Sequence, residues 1–161
     1  MFQTDEKYEI KTPTSQYFAA QMLTKEWVQP EDAEHKLFRA AGDIKDSSGH
    51  VLVTAYAVLR PDGQWSLLVI NKDHDHDHAV RIVFEDSQAK TRSVFAGPVT
   101  MITFGKNQYE WHPARRNGYA EPDGPATASG VAGGNEAVYK LPAASVNVLR
   151  GRIAVSGAKE P

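Results

Sequence analysis

Between Val51 and Leu59 the chain alternates in a way that leaves no polar side. Val51, Val53, Ala55, Ala57 and Leu59 are all apolar, and the intervening Leu52, Thr54, Tyr56 and Val58 are largely so. In an extended chain successive side chains point to opposite faces. A strand apolar on both faces predicts that something packs on the outside of its sheet. This strand is read over 51–60. The tetrad Pro61-Asp62-Gly63-Gln64 follows, and its Pro-Asp-Gly is strong turn chemistry. A second apolar run, WSLLVINK, fills 65–72, and the two runs predict an antiparallel hairpin. AVRIVFE (79–85) sets Val80, Ile82 and Phe84 against Arg81 and Glu85, which predicts a further strand. Weaker strand patterns occupy 35–40, 92–96, 99–104, 108–112, 137–141 and 145–153.

One segment has helical spacing instead. In TPTSQYFAAQMLTKEW, Phe18, Ala19, Met22, Leu23 and Trp27 recur on one apolar face. Thr12, Thr14 or Ser15 supplies a cap, and Pro30 stops what continues. The predicted fold class is mainly β, an antiparallel β-sandwich or barrel with one short N-terminal helix. The stretch 112–137 breaks the pattern. It is rich in Gly, Pro, Ala and Asn and predicts a long loop, a feature that in a compact domain is either functional or loosely ordered.

The chain of 161 residues fits one domain, and 41% hydrophobic with 24% charged residues is an ordinary globular composition. A formal net charge of −2 gives no electrostatic reason to expect nucleic acid or an anionic membrane as partner. There is no cysteine, so disulfides and thiol catalysis are excluded. No apolar run approaches the roughly 20 residues of a membrane span. The opening MFQTDEKYEI carries acid where a signal peptide carries base. The chain is thus read as cytoplasmic, or as part of a longer one whose signal lies elsewhere.

Candidate chemistry is sparse. In NKDHDHDHAV (71–80), His74, His76 and His78 alternate with Asp73, Asp75 and Asp77. Lying between two predicted strands, this run is read as a polar hairpin tip, where charge discourages edge pairing. Were it extended, the three histidines would share one side and chelate a divalent ion, biological or adventitious. With no cysteine and no second histidine pair, nothing supports a structural zinc site. No cofactor is expected. In 111–123, Trp111, Arg115, Arg116, Tyr119 and Asp123 combine aromatic rings with planar polar groups, the pairing that sugar binding uses. The same residues also fit a surface loop held by Arg–carboxylate pairs. Glu26, Glu31, Asp32 and Glu34 read as a solvated face. No carboxylate pair has a spacing that marks glycoside hydrolysis, Ser129 and Ser145 lack a nucleophile-elbow setting, and Gly133-Gly134 is not a phosphate loop.

The closing phrase YKLPAASVNVLRG (139–151) resembles the last strand of C-terminal β-sandwich domains in bacterial clan-A glycoside hydrolases, of the family 39 β-xylosidase-like and arabinofuranosidase-like kinds. AYAVLRPDGQWSLLVINKD (55–73) is similar to that domain's central hairpin, EWHPARRNGYAEPDGP (110–125) to its long loop, and SQYFAAQMLTKEW (15–27) to the final barrel helix. The resemblance covers roughly 13 to 153. It implies a division into an N-terminal segment 1–30 left from the end of a barrel, a sandwich over 31–155 and a disordered tail over 156–161. It further implies a non-catalytic accessory role, a catalytic (β/α)8 barrel of the same polypeptide as partner, and a plant-type glycan near the long loop. The location would be secreted or periplasmic if the parent enzyme carries a signal peptide. The family's catalytic glutamates lie on barrel strands, so none is carried over. An autonomous carbohydrate-binding module and a structural or protein-interaction sandwich remain as alternatives.

Overall fold

The two most apolar runs become neighbouring strands near the middle of a six-stranded sheet. The computed structural model describes residues 2–31, 33–114 and 118–154. It begins with a small hairpin, β1 (Phe2–Thr4) and β2 (Ile10–Pro13), then helix α1 (Ser15–Gln21), which widens into a π-helical turn over Met22–Trp27. There follow β3 (Lys36–Phe38), β4 (Val53–Leu59), β5 (Trp65–Asn71), β6 (His78–Val80), β7 (Phe84–Asp86), β8 (Thr91–Ser93) and β9 (Phe95–Phe104). The chain continues through β10 (Tyr109–His112), β11 (Tyr119–Asp123), β12 (Thr127–Ala132), β13 (Tyr139–Leu141) and β14 (Ser145–Ile153). The main sheet has the order β12-β9-β14-β5-β4-β3 and is antiparallel throughout.

Both faces of this sheet are covered, which is why its central strands read as nearly continuous apolar runs. On the inner face Val53, Ala57, Leu67, Val69, Phe95, Val99, Met101 and Leu149 form the main core. The second layer of the sandwich is made of two ribbons, β6–β13 and β7–β8. They contribute Tyr139 and Leu141 from β13, with Val80 and Phe84, and Ile82 between the ribbons. A train of rings links the layers: Trp65 to Phe84 at 4.9 Å, Phe84 to Phe95 at 5.0 Å and Phe95 to Tyr139 at 6.2 Å. Gly151 makes room for it, since a Cβ there would lie 2.9 Å from the Phe95 ring. On the outer face Leu68, Ile102, Phe104 and Val148 meet Phe18 and Met22 of the helical segment. The helix thus covers the outer face over β5, β9 and β14, while on the two-sided strand itself Tyr56 stays 52% exposed.

The turn between β4 and β5 closes as its residues require. The Gly63 amide donates to the Arg60 carbonyl and the Arg60 amide to the Gln64 carbonyl, both at 2.9 Å, and Gly63 has φ 75°. The left-handed residue after a tight turn favours glycine.

Three expectations are corrected. First, 65–72 and 79–85 do not form a hairpin. Both hydrogen-bonding edges of β5 are taken, by β4 and by β14, so the chain crosses to the second layer and β6 pairs with β13. Its expected partner run is also split, with β6 and β7 in different ribbons. Second, 112–137 is not one loop. It contains β11 and the edge strand β12, which pairs with β9 from Thr127↔Thr103 to Ala132↔Pro98. TASGVA is mostly exposed and small; an edge strand needs only its backbone ladder, so it leaves no apolar period to read. Third, β1–β2 had no counterpart in the sequence reading. Its turn is organised by Asp5, whose carboxylate accepts the Lys7 and Glu9 amides at 2.8 and 3.0 Å.

Candidate functional site

The polar run after β5 is a clasp between the two layers. Buried Asn71 ends β5, and its amide nitrogen donates to the carbonyls of His76 (3.0 Å), Leu141 (3.3 Å) and Pro142 (2.8 Å). Its side-chain oxygen accepts the Asp73 amide at 3.0 Å. Asp73 repeats the device, accepting the amides of Asp75 (3.0 Å) and His76 (3.1 Å). The Asp73 carbonyl accepts the Ala144 amide at 2.7 Å. Asp77 accepts the Ala143 amide at 2.9 Å and pairs with Lys140 at 2.9 Å. Asn71, Asp73 and Asp77 thus fasten the run to Leu141-Pro142-Ala143-Ala144, where Ala144 has φ 46°.

The histidines follow from this. Nε2 of His78 lies 3.0 Å from Oδ2 of Asp73, and Nδ1 of His76 lies 3.3 Å from it. His74 is exposed. The run is not extended, so the three rings do not line one side, which corrects the geometry that chelation assumed. Among the described residues no group of three or more His, Cys, Asp or Glu side chains is placed to hold a metal ion. Amide donors, that of Asp75 first, hold the Asp73 carboxyl down at about 2. The Lys140 ammonium, and then the Ala143 amide, lower that of Asp77.

The aromatic candidates sit on a ribbon, β10–β11, that continues beyond the β9–β12 pair. Tyr109 roots it, lying 6.1 Å from Phe18 and 6.3 Å from Phe104, ring to ring. Trp111 lies opposite Ala120, and His112 opposite Tyr119. Residues opposite in register share a face, so Trp111 and Tyr119 lie on different faces of the ribbon. Tyr119 is 57% exposed and stacks on the His112 ring, 5.2 Å away and inclined by 26°. His112 Nε2 is 2.9 Å from the Glu121 carbonyl oxygen. Trp111 is 43% exposed and rests on Gly118, where a Cβ would come 2.2 Å from Cζ2 of the indole. Asp123 pairs with Tyr109 across a register shift and is exposed. Arg115 and Arg116 lie outside the described residues.

On the outer face of the sheet, sequence reasoning missed an arginine clamp. Nη1 of Arg60 (2.9 Å) and Nη1 of Arg150 (3.4 Å) both donate to the Glu26 carbonyl oxygen, in the last turn of the helical segment. Arg150 pairs with the Glu26 carboxylate at 3.1 Å, and Arg60 with Asp62 at 3.2 Å. Cations at a helix C-terminus satisfy its orphan carbonyls and oppose its dipole. Trp27 packs edge-on toward Tyr56 at 6.5 Å, while Tyr56 is 52% and Leu23 40% exposed. A cleft of about 150 Å³ beside this helix is lined by Phe18, Met22, Glu26 and Ile102 among others, and one of about 340 Å³ lies between Arg81–Val83 and Gly134–Ala137. Each presents one carboxylate, Glu26 and Glu136, and each of these is paired with an arginine.

Fold and site define an antiparallel β-sandwich with a helix docked on its outer face and an aromatic ribbon at its rim. No protein-family model matches the chain, and no curated protein matches it. Solved structures that resemble it include glycoside hydrolases. One is the GH51 α-L-arabinofuranosidase of Thermotoga petrophila RKU-1, at 14% identity and a TM-score of 0.38 over 63% of this chain and 19% of that one. Another is the family 44 xyloglucanase of Paenibacillus polymyxa, at 19% identity and 0.38 over 63% and 16%. A third is the GH51 arabinofuranosidase of Xanthomonas axonopodis pv. citri, at 18% identity and 0.42 over 73% and 21%. The chain matches between 16% and 21% of the length of these proteins.

Proposed function

We propose that this chain is a non-catalytic accessory β-sandwich of a glycoside hydrolase, which stabilises a catalytic (β/α)8 barrel and shapes the rim of its cleft. The observation that carries the reading is the outer face. The helical segment is clamped to the sheet through Arg60 and Arg150, yet Leu23 and Tyr56 beside it stay open to solvent. A helix of this length holds its shape by packing, and an apolar border left around it fits a second body that continues the cover. The order of sequence phrases across 13–153 supports the same reading. Glycoside hydrolysis uses two carboxyl groups held about 5–10 Å apart across the scissile bond. The two clefts described offer one carboxylate each, already bound to an arginine.

This chain alone is expected to leave aryl-xylosides, aryl-arabinosides and aryl-galactosides uncleaved. A product read from the same frame with its upstream segment is expected to cleave one of them and to melt higher than the sandwich alone. Turnover by the isolated chain that disappears on mutating one of its own carboxylates overturns the assignment.

A further inference from the structure

We propose that the free edge of β12 pairs with the same edge of a second copy of this chain, joining two main sheets into one across a two-fold axis at Gly130. This edge is distinct from the outer face, and its pairing does not require a glycoside hydrolase role.

The two edges of the main sheet differ. β3 is three residues long and carries Lys36, and shortness and lysine are common guards of an edge. β12 is six residues long and pairs along its whole length with β9. Among the described residues no strand takes its other side. From Gly124 to Gly134 there is no charged residue, although 127–130 and 132 are exposed. The strand holds no proline, and its ladder has no register shift. An exposed edge of this kind is a template for another strand.

The phase of the ladder shows which backbone groups are free. The Gly133 amide donates to the Gly97 carbonyl at 2.7 Å. In an antiparallel ladder bonded and non-bonded pairs alternate, so Thr127, Ser129 and Val131 turn their backbone groups to β9. Ala132 stands opposite Pro98, which has no N–H to give, as this phase requires. The amides and carbonyls of Ala128, Gly130 and Ala132 therefore point away from β9.

Those three positions name the occupant. In an antiparallel pairing centred on Gly130, Ala128 meets the partner's Ala132, Gly130 the partner's Gly130, and Ala132 the partner's Ala128. Each free amide then faces a free carbonyl, about six bonds from three pairs. Between them Ser129 meets the partner's Val131. The strand is its own complement in hydrogen-bonding phase and in side-chain size, and no like charges stand opposite one another. A two-fold pairing of this kind closes at two copies. One strand from each side falls short of the roughly 1,200 Å² of a standard interface. Association is therefore weak, with a dissociation constant on the order of 100 µM.

Sedimentation of the full chain from about 10 µM to about 1 mM is expected to show a monomer–dimer equilibrium. Amide hydrogen exchange is expected to slow with protein concentration at Ala128, Gly130 and Ala132, and to stay unchanged at Ser129 and Val131, which β9 already holds. A Cβ at Gly130 would meet nothing within 4 Å, so Gly130→Lys and Gly130→Glu are expected to keep the melting temperature of the parent. Each variant alone sets like charges at the two-fold axis and is expected to weaken association about tenfold or more. An equal mixture of the two is expected to restore it. A chain that stays monomeric at about 1 mM leaves this edge to a strand of other origin and overturns the proposal. So does a dimer that both charged variants leave intact, or one whose concentration-dependent protection lies outside β12. Each of these results leaves the accessory role standing.

Discussion

Asn71 is 1% exposed and serves three carbonyls and one amide. Replacing it with leucine leaves the buried Leu141 carbonyl without this donor, at about 1–3 kcal/mol for a group left unsatisfied. Asn71→Leu is expected to lower the urea midpoint with the slope of the transition unchanged. Asp73 adds a pH dependence whose sign follows from its depressed pKa. A carboxyl at about 2 when folded and near 3.9 when unfolded stabilises fully at pH values above the unfolded value. That contribution is lost as pH falls through about 4 toward 2. Asp73→Asn keeps an oxygen for the turn but cannot titrate, so its stability curve is expected to be flatter across that window in urea unfolding measured at a series of pH values. In the sequence this run stood out as a repeat of metal-ligand types. Asp73 and Asp77 act instead as backbone acceptors, a use that any Asx-rich turn shares and that only the fold distinguishes.

At the scale of elements, the helical segment is joined to the sheet by Met22 and Phe18 below and by two guanidinium groups at its end. Met22 is 1% exposed, and Met22→Ala is expected to cost about 2–5 kcal/mol, read as a lower urea midpoint. Arg150→Met retains the apolar stem while releasing the Glu26 carbonyl and carboxylate. It is expected to speed amide exchange across 17–28 with little change in β9 and β14, whose ladder bonds are backbone only. The helix was legible because its apolar spacing survives in sequence. The clamp was not, because Arg60 and Arg150 are far from Glu26 along the chain and acquire a shared partner only when β4 and β14 lie in one sheet.

For the whole molecule, the central question is what the outer sheet face needs as cover. Removing residues 1–30 uncovers Leu68, Ile102, Phe104 and Val148 together. Four such side chains lose on the order of 1.5–3 kcal/mol of burial each. A chain beginning at Glu31 is expected to bind an apolar dye and to run as an oligomer in size-exclusion chromatography. A monomeric truncated chain with an unchanged melting temperature shows that the helix is dispensable.

Local chemistry by itself determined the β class, the single helical segment, the turn at Pro61-Asp62-Gly63-Gln64 and the demand for cover on both sides of 51–59. Each of these is written in neighbouring residues, as alternation, helical spacing or turn preference. The aromatic and polar composition of 111–123 was equally plain. Tertiary structure alone decided which strand pairs with which. The occupied edges of β5 sent the chain across to the second layer and turned an expected hairpin tip into a clasp. It also decided that small, exposed residues at 127–132 form an edge strand, and that Trp111 and Tyr119 face opposite ways. Pairing and facing are set by which hydrogen-bonding edges remain free and by register across the ladder, and both depend on residues distant in sequence.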